Sequence, residues 1–254
     1  MPTPLITLIS DFGEDSAYTA MLKGQLWRHC PPARIVDLAH NLDGDDPFAA
    51  AFFLLRVYSY YPAGTVHVVA VDRGRNRDVI LVTASGQHFL ALDDGALGLV
   101  LERESAAGGA AVRAIPAAHR GTFAARDLLA PIAGALAAGA RPDGLGAPAA
   151  AWRRLRLPEP VPAPGGGLAA EVLHVDRFGN LILNVTLAQL APAARPAARI
   201  GRARIARWRT GFADAEPGEC FLYWGAEEWL EIAVAGGSAA RRLRARRGTR
   251  VLLG

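Results

Sequence analysis

Along the first half of the chain, short uninterrupted apolar runs alternate with segments whose apolar residues recur every three or four positions. Leu5 to Ile9 reads as a buried strand that stops at the polar turn Ser10-Asp11-Phe12-Gly13. Tyr18, Met21, Leu22 and Leu26 then stand at i, i+3, i+4 and i+8, which predicts a helix with those four side chains on its apolar face. Arg34 to Leu38 predicts a second strand. Asp46-Pro47 opens another helix, running through Phe52 to Tyr58, with Pro47 in the first turn where its missing N–H costs nothing. Thr65 to Val71 predicts a third strand, again ending in an acid, Asp72. Val79 to Thr83 and Phe89 to Leu92 flank the turn-like Ser85-Gly86, and Ala125 to Ala138 predicts a helix. Strands alternating with helices imply an α/β domain with a mainly parallel sheet.

The pattern changes after residue 140. Arg141 to Gly167 is rich in proline and ends in Pro164-Gly165-Gly166-Gly167, which reads as a linker. Beyond it lie short β-like runs: Ala170 to Val175, Leu181 to Val185, Ala198 to Ile205, Cys220 to Tyr223 and Trp229 to Val234. They predict a small β-barrel or sandwich. The expected organisation is an α/β domain over 1–145, a Pro/Gly-rich linker over 146–167 and a β-barrel-like domain over 168–254. No fixed-period repeat is visible.

Composition narrows the class. With 254 residues, 51% of them hydrophobic, the chain can bury a large core. No window approaches the roughly 20 uninterrupted apolar residues of a membrane helix, and Met1 to Ile9 lacks the positive start of a signal peptide. Cys30 and Cys220 are too few and too far apart for a disulfide framework or a cysteine-rich zinc site, so a cytoplasmic location is expected. The net charge of +4 and the basic run Arg241 to Arg250 raise nucleic-acid binding as an option. Yet Lys23 is the sole lysine, arginine is spread through the chain, and that run has no aromatic residue between its arginines. Nucleic acid is therefore not an expected partner.

Two apolar strands end in an aspartate followed by turn residues, Asp11 and Asp72. In open α/β sheets ligands bind outside the carboxyl ends of strands, where a carboxylate can accept both hydroxyls of a ribose. The same residues could equally cap the helix or turn that follows. His29, His40, His67, His88, His119 and His174 show no metal-ligand spacing and read as structural or surface histidines, so no metal site is expected. A nucleophile elbow, a P-loop and a dinucleotide fingerprint are all absent, leaving hydrolase triads and ordinary dinucleotide binding without sequence support.

The order of the motifs carries more. Thr7 to Gly13, Tyr18 and Met21-Leu22-Lys23-Gly24 are followed by Ile35 to His40 and by Tyr61 to Val69 leading to Asp72. Asp93 to Leu97, Thr122-Phe123-Ala124-Ala125-Arg126-Asp127, Asp176 to Leu181, Ile232 to Val234 and Gly237 to Ala240 complete the set. Taken together, and over nearly the whole chain, this resembles the S-adenosylmethionine hydroxide adenosyltransferases and their fluorinase and chlorinase relatives. The resemblance implies an N-terminal α/β domain, a C-terminal barrel-like domain, a homotrimer with ligand sites between subunits, and S-adenosylmethionine as substrate with no separate cofactor. It implies that Asp11 grips the ribose hydroxyls, that Phe178 and Asn180 contact adenine, and that Asp176 faces the methionine ammonium. Phe123 would line the region around C5′, with Tyr18 and Val234 as further substrate-binding positions.

The reaction implied is an in-line displacement at C5′, with neutral methionine leaving from a sulfonium, so no general acid is needed. By the resemblance, the halide-using relatives carry a tyrosine at the position of Asp72, and the fluorinase a tryptophan near Asp45. Acids there would repel a halide, which excludes halogenation. The water-using relatives set an Asp, an Arg and a His around the nucleophile. Asp72 matches the first and, with a two-residue deletion after Gly74, Arg77 matches the second as catalytic residues, a carboxylate orienting water and a guanidinium stabilising developing hydroxide. Ala124 stands where the histidine belongs, and Ser16, Ala226, Ala235 and the Asp72-Arg73-Gly74-Arg75-Asn76 turn also depart from the family pattern. The expected activity is hydrolysis of S-adenosylmethionine to adenosine and L-methionine, weakened by the missing histidine. The alternatives are a non-catalytic binder of adenosine or S-adenosylmethionine, or an enzyme on another 5′-substituted adenosine. Appearance of adenosine separates hydrolase from binder, and steep salt dependence of polynucleotide binding would mark a nucleic-acid binder.

Overall fold

A computed structural model describes residues 3–42, 46–71, 77–117, 121–190 and 195–254. Asp45, Asp72, the Arg73–Asn76 turn and His119 lie outside them. The chain divides into two compact units, Met1–Arg156 and Leu157–Gly254.

In the first unit the elements run β1 (Leu5–Ser10), α1 (Ala17–His29), β2 (Arg34–Ala39), α2 (Pro47–Val57), β3 (Val66–Ala70), β4 (Val79–Ala84), β5 (Gln87–Leu92), α3 (Gly98–Ala106), β6 (Ala111–Ile115), α4 (Ala130–Ala137) and β7 (Ala147–Pro148). One seven-stranded sheet has the order β2-β1-β3-β5-β4-β6-β7. β2, β1, β3 and β5 are parallel, whereas β4, β6 and β7 pair antiparallel. The sheet is therefore mixed, not mainly parallel as the sequence suggested. The reason lies at Ser85-Gly86, where both residues take positive φ (49° and 71°) and fold β4 and β5 into a two-residue hairpin. Such a turn can only join antiparallel neighbours.

Ile6, Leu8, Val66 and Val68 alternate onto the face that packs with Leu22 and Leu26 of α1 and with Ala130, Ala133 and Leu136 of α4. Tyr18 and Met21 do not join them. They are 54% and 44% exposed, so the buried stripe of α1 is narrower than its periodicity implies. Ala125–Leu129 forms a π-helical turn that runs straight into α4, where the sequence suggested one continuous α-helix.

The intervening positions Thr7 and His67 face the other way and are fully buried. Thr7 Oγ1 lies 2.7 Å from His67 Nδ1, Gln87 Oε1 lies 3.0 Å from Nε2, and the ring stacks on Phe89. Burial pushes the His67 pKa from 6.5 down to about 4, against the opposing hydrogen bond that Gln87 Oε1 accepts from the ring. The unfolded chain can protonate this histidine below pH 6.5 while the folded one resists. Stability is thus fully present above pH 6.5 and falls as pH drops towards 4, by about 3 kcal/mol from this group. His88, lowered by burial as well, adds with the same sign. Urea unfolding midpoints between pH 7 and 4 should show this slope, and His67→Gln should flatten it. An unchanged slope would assign the acid sensitivity elsewhere.

The second unit contains β8 (Val161–Pro162), β9 (Leu168–Val175), β10 (Leu181–Thr186), β11 (Ala198–Ile200), β12 (Ala203–Ile205), β13 (Cys220–Trp224), β14 (Trp229–Val234), α5 (Ala239–Leu243) and β15 (Arg250–Leu253). Its sheet runs β12-β11-β15-β9-β10-β14-β13, with β8 alongside β9, and a bridge from Trp208 to Leu222 brings the two ends together. The result is a nearly closed, barrel-like sheet around Val172, Leu183, Leu222, Leu230 and Val251. The run Ala198 to Ile205 is two strands, folded back at Gly201 (φ 55°). No described helix is long and apolar enough to cross a membrane.

Candidate functional site

β1 lies between β2 and β3, so the carboxyl ends of three parallel strands stand side by side. Asp11 follows β1, His40 follows β2, and Val71 follows β3. Asp11 is half-buried and is not the cap of α1. That place belongs to Ser16, whose hydroxyl accepts the N–H of Tyr18 at 3.2 Å. The turn between them is held at Gly13, which needs a φ of +89°, donates its N–H to the His40 carbonyl at 2.7 Å and accepts from Thr19 Oγ1 at 3.0 Å.

Beneath this turn runs a chain of polar contacts that sequence reading missed, having set His40 aside as structural. Ser10 Oγ lies 2.7 Å from His40 Nδ1, His40 Nε2 lies 2.8 Å from Asp37 Oδ1, and Asp37 Oδ2 accepts from Lys23 Nζ at 2.6 Å. His40 is 4% exposed and Ser10 fully buried. Partial burial would raise the Asp37 pKa, but the hydrogen bonds from Lys23 and His40 outweigh it and hold the carboxyl below its ordinary value. The only sequence signal for this group was the polar pair Asp37 and His40 at one strand end.

Above the strand ends, Phe12, Tyr18 and Phe123 form a three-ring cluster. Phe123 meets Phe12 edge-on at 5.3 Å and Tyr18 edge-on at 5.0 Å between centroids. The rings wall a pocket of about 220 Å³ together with Ala70, Val71, Leu92, Thr122 and Ala124. Arg126 lies over Phe123 at 5.3 Å and forks onto Asp127, which steadies the first π-helical turn. π-Helical turns of this kind recur at functional sites. Of the residues singled out in the sequence, the pocket gathers Tyr18 and Phe123, with Asp11 one residue from its Phe12 wall. Ala124, where the resemblance expects a histidine, forms part of the wall itself.

Arg77 does not line this pocket. It stands just before β4, its Nη1 donating to the Asp93 carbonyl at 2.8 Å. Asp93 in turn accepts the N–H of Arg153 at 2.7 Å, so the guanidinium rests on an anchored turn. Asp72 follows the pocket residue Val71 in sequence and lies outside the described residues. Among the described residues no cluster of His, Cys, Asp or Glu could hold a metal ion.

The second unit holds the remaining positions. Asp176 Oδ1 accepts the N–H groups of Phe178 at 2.9 Å and Asn180 at 2.8 Å, and Oδ2 accepts Asn180 Nδ2 at 2.8 Å. The carboxylate thereby organises its own turn and presents Phe178 almost fully to solvent, 77% exposed. Asn180 is buried at 4%, and its Oδ1 meets no hydrogen-bond donor among the described residues. Val234 ends β14, opposite Cys220. Gly179 (φ +86°) closes the turn, and a Cβ there would fall about 2.0 Å from Ser238 Oγ. Gly179→Ala should therefore cost roughly 1–3 kcal/mol through backbone strain and overlap. Urea denaturation checks this, and a variant as stable as the parent would show that the turn readily rearranges.

Comparisons with known proteins bear on both units. The SAM hydroxide adenosyltransferase N-terminal domain matches residues 6–146, and the C-terminal domain of the same family matches residues 170–252. An (R)-S-adenosyl-L-methionine hydrolase of Salinispora tropica is 35% identical, with 98% of this chain and 97% of that protein covered. The protein of that name from Thermus thermophilus is 32% identical, with 98% of each covered. A crystal structure of a conserved Thermotoga maritima protein superposes with a TM-score of 0.85 at 28% identity, over 98% of this chain and 99% of that one. With matches that run nearly end to end through both units, the chain belongs to the SAM hydroxide adenosyltransferase family.

Proposed function

We propose that this protein hydrolyses S-adenosyl-L-methionine, as the (R) epimer at sulfur, to adenosine and L-methionine. The observation that carries the reading is near-full-length identity of 35% to an (R)-S-adenosyl-L-methionine hydrolase. The aromatic pocket beside the strand-end carboxylate of Asp11 supports it. Water oxygen attacks C5′ as the C5′–S bond breaks. The bonding pair goes to sulfur, which leaves as a neutral thioether, and one water proton is released.

In this reading Asp11 accepts the two ribose hydroxyls. Phe123 and Tyr18 enclose the sugar edge and keep bulk water from the sulfonium. Phe178 and Asn180 take the adenine, the buried Asn180 Oδ1 being a fitting acceptor for an exocyclic amine. Asp176 faces the ammonium, and Val234 completes the binding set. Asp72 orients the attacking water and accepts its proton, while Arg77 stabilises developing hydroxide once its guanidinium turns from the Asp93 carbonyl toward the water. Neither a halide nor a further cofactor enters. The domain limits read from the sequence, the homotrimer and the cytoplasmic location belong to this proposal.

The test is to incubate purified protein separately with the (R) and (S) sulfonium epimers and to separate products by chromatography. Adenosine and methionine in equal amounts from the (R) epimer are expected. Tight binding of adenosine without product would leave the non-catalytic reading.

A further inference from the structure

We infer that His40 is a positioning residue for the ribose grip. It acts through the turn that carries Asp11, and the inference rests on the function proposed above.

The residues on either side of Asp11 are both tied to this one histidine. On the upstream side, Ser10 Oγ lies 2.7 Å from the ring at Nδ1, and the same oxygen accepts the Phe12 N–H at 3.4 Å. On the downstream side, the Gly13 N–H reaches the His40 backbone carbonyl at 2.7 Å. One assignment of hydrogens satisfies every contact: with a hydrogen on Nε2 the ring donates to Asp37 Oδ1 at 2.8 Å, a bare Nδ1 accepts the Ser10 hydroxyl hydrogen, and a Ser10 lone pair is left for Phe12.

The ring is itself held from outside. Asp37 Oδ2 accepts from Lys23 Nζ at 2.6 Å, and Lys23 stands on α1, the helix that the Asp11 turn leads into. The circuit therefore closes: β1, turn, α1, Lys23, Asp37, His40 and back to both flanks of Asp11. A carboxylate on such a turn loses little freedom when it meets two hydroxyls at fixed spacing, because the backbone bearing it is ordered beforehand.

Ser10, His40 and Asp37 also repeat the partners of a nucleophilic triad. That role does not fit here. Ser10 is fully buried and its hydroxyl is engaged by His40. Displacement at an alkyl carbon by water has no step for an acyl-accepting serine.

The experiment is a double-mutant cycle in adenosine affinity, read by calorimetry. His40→Gln and Ser10→Ala should each weaken adenosine binding about 5–10-fold in the parent protein. Each should cost less than about twofold when Asp11→Asn is already present, since the grip they serve is then gone. Lys23→Met, at the accessible end of the chain, should give a smaller loss with the same dependence on Asp11, and it keeps the test open should His40→Gln fail to fold. A ligand-free readout runs beside it: amide hydrogen exchange over residues 10–16 should quicken in Ser10→Ala and Lys23→Met while the protection of α4 is kept. Equal fold losses in both backgrounds, or unchanged affinity with unchanged exchange, would overturn the positioning role. If the parent binds no adenosine while exchange responds as expected, the turn is held as described but the ribose reading falls, and with it this inference about a ribose grip.

Discussion

Ala124→His combined with Ala125→Gly should raise adenosine formation from S-adenosylmethionine by roughly 10²–10³-fold, the usual effect of one group placed to stabilise developing charge. Ala124 is in the wall of the aromatic pocket with helical backbone angles (φ −58°, ψ −33°) that a histidine adopts without strain. An imidazole there can orient the attacking water or share its proton near neutral pH. Ala125 is buried at 6% against the α4 core, so trimming it to glycine relieves crowding beneath the new ring and costs about 1 kcal/mol of helix propensity. Asp72→Asn, in either background, should reduce product to the uncatalysed level if Asp72 is the proton acceptor proposed above. A double variant that folds, binds adenosine and stays inactive would show that Asp72 and Arg77 no longer hold water in line with C5′. The protein would then be a binder that has lost turnover.

Asp11→Ala should weaken adenosine binding by roughly 10²–10⁴-fold. In the proposed ribose grip the substitution removes two charge-assisted hydrogen bonds, at about 1.5–3 kcal/mol each. The half-buried position at the end of β1 allows the substitution without opening the core, and α1 keeps its own cap at Ser16. Melting temperature should therefore move little while affinity collapses. Calorimetric titration of parent and variant decides the matter: equal affinities with an intact fold would leave Asp11 a turn residue only.

Much of this protein can be read along the chain because the relevant physics is local. An apolar run bounded by turn residues specifies a strand wherever it ends up, and Trp229–Val234 and Val79 to Thr83 follow that rule. Asp46 before Pro47 starts α2 as expected, its carboxylate accepting the Ala49 N–H at 3.1 Å. The motif set that carries the family is local too, each piece a few contiguous residues.

Other features were settled by tertiary contacts. A strand buried on both faces shows the same apolar run whether its neighbour is parallel or antiparallel, so the reversal at Ser85-Gly86 and the mixed sheet could not be read from hydrophobicity. Tyr18 and Met21 keep helical spacing with Leu22 and Leu26 as a set yet remain exposed, outside the core that takes Leu22 and Leu26; Tyr18 instead meets Phe123, and Met21 lies 4.0 Å from Arg126, about a hundred residues away. His40 looked like any isolated histidine, since Ser10 lies 30 residues upstream and only the parallel pairing of β1 with β2 brings the two together. Sequence patterns report which residues avoid water. Which side chains then meet depends on strand order and direction, and these are chosen by the packing of the whole unit.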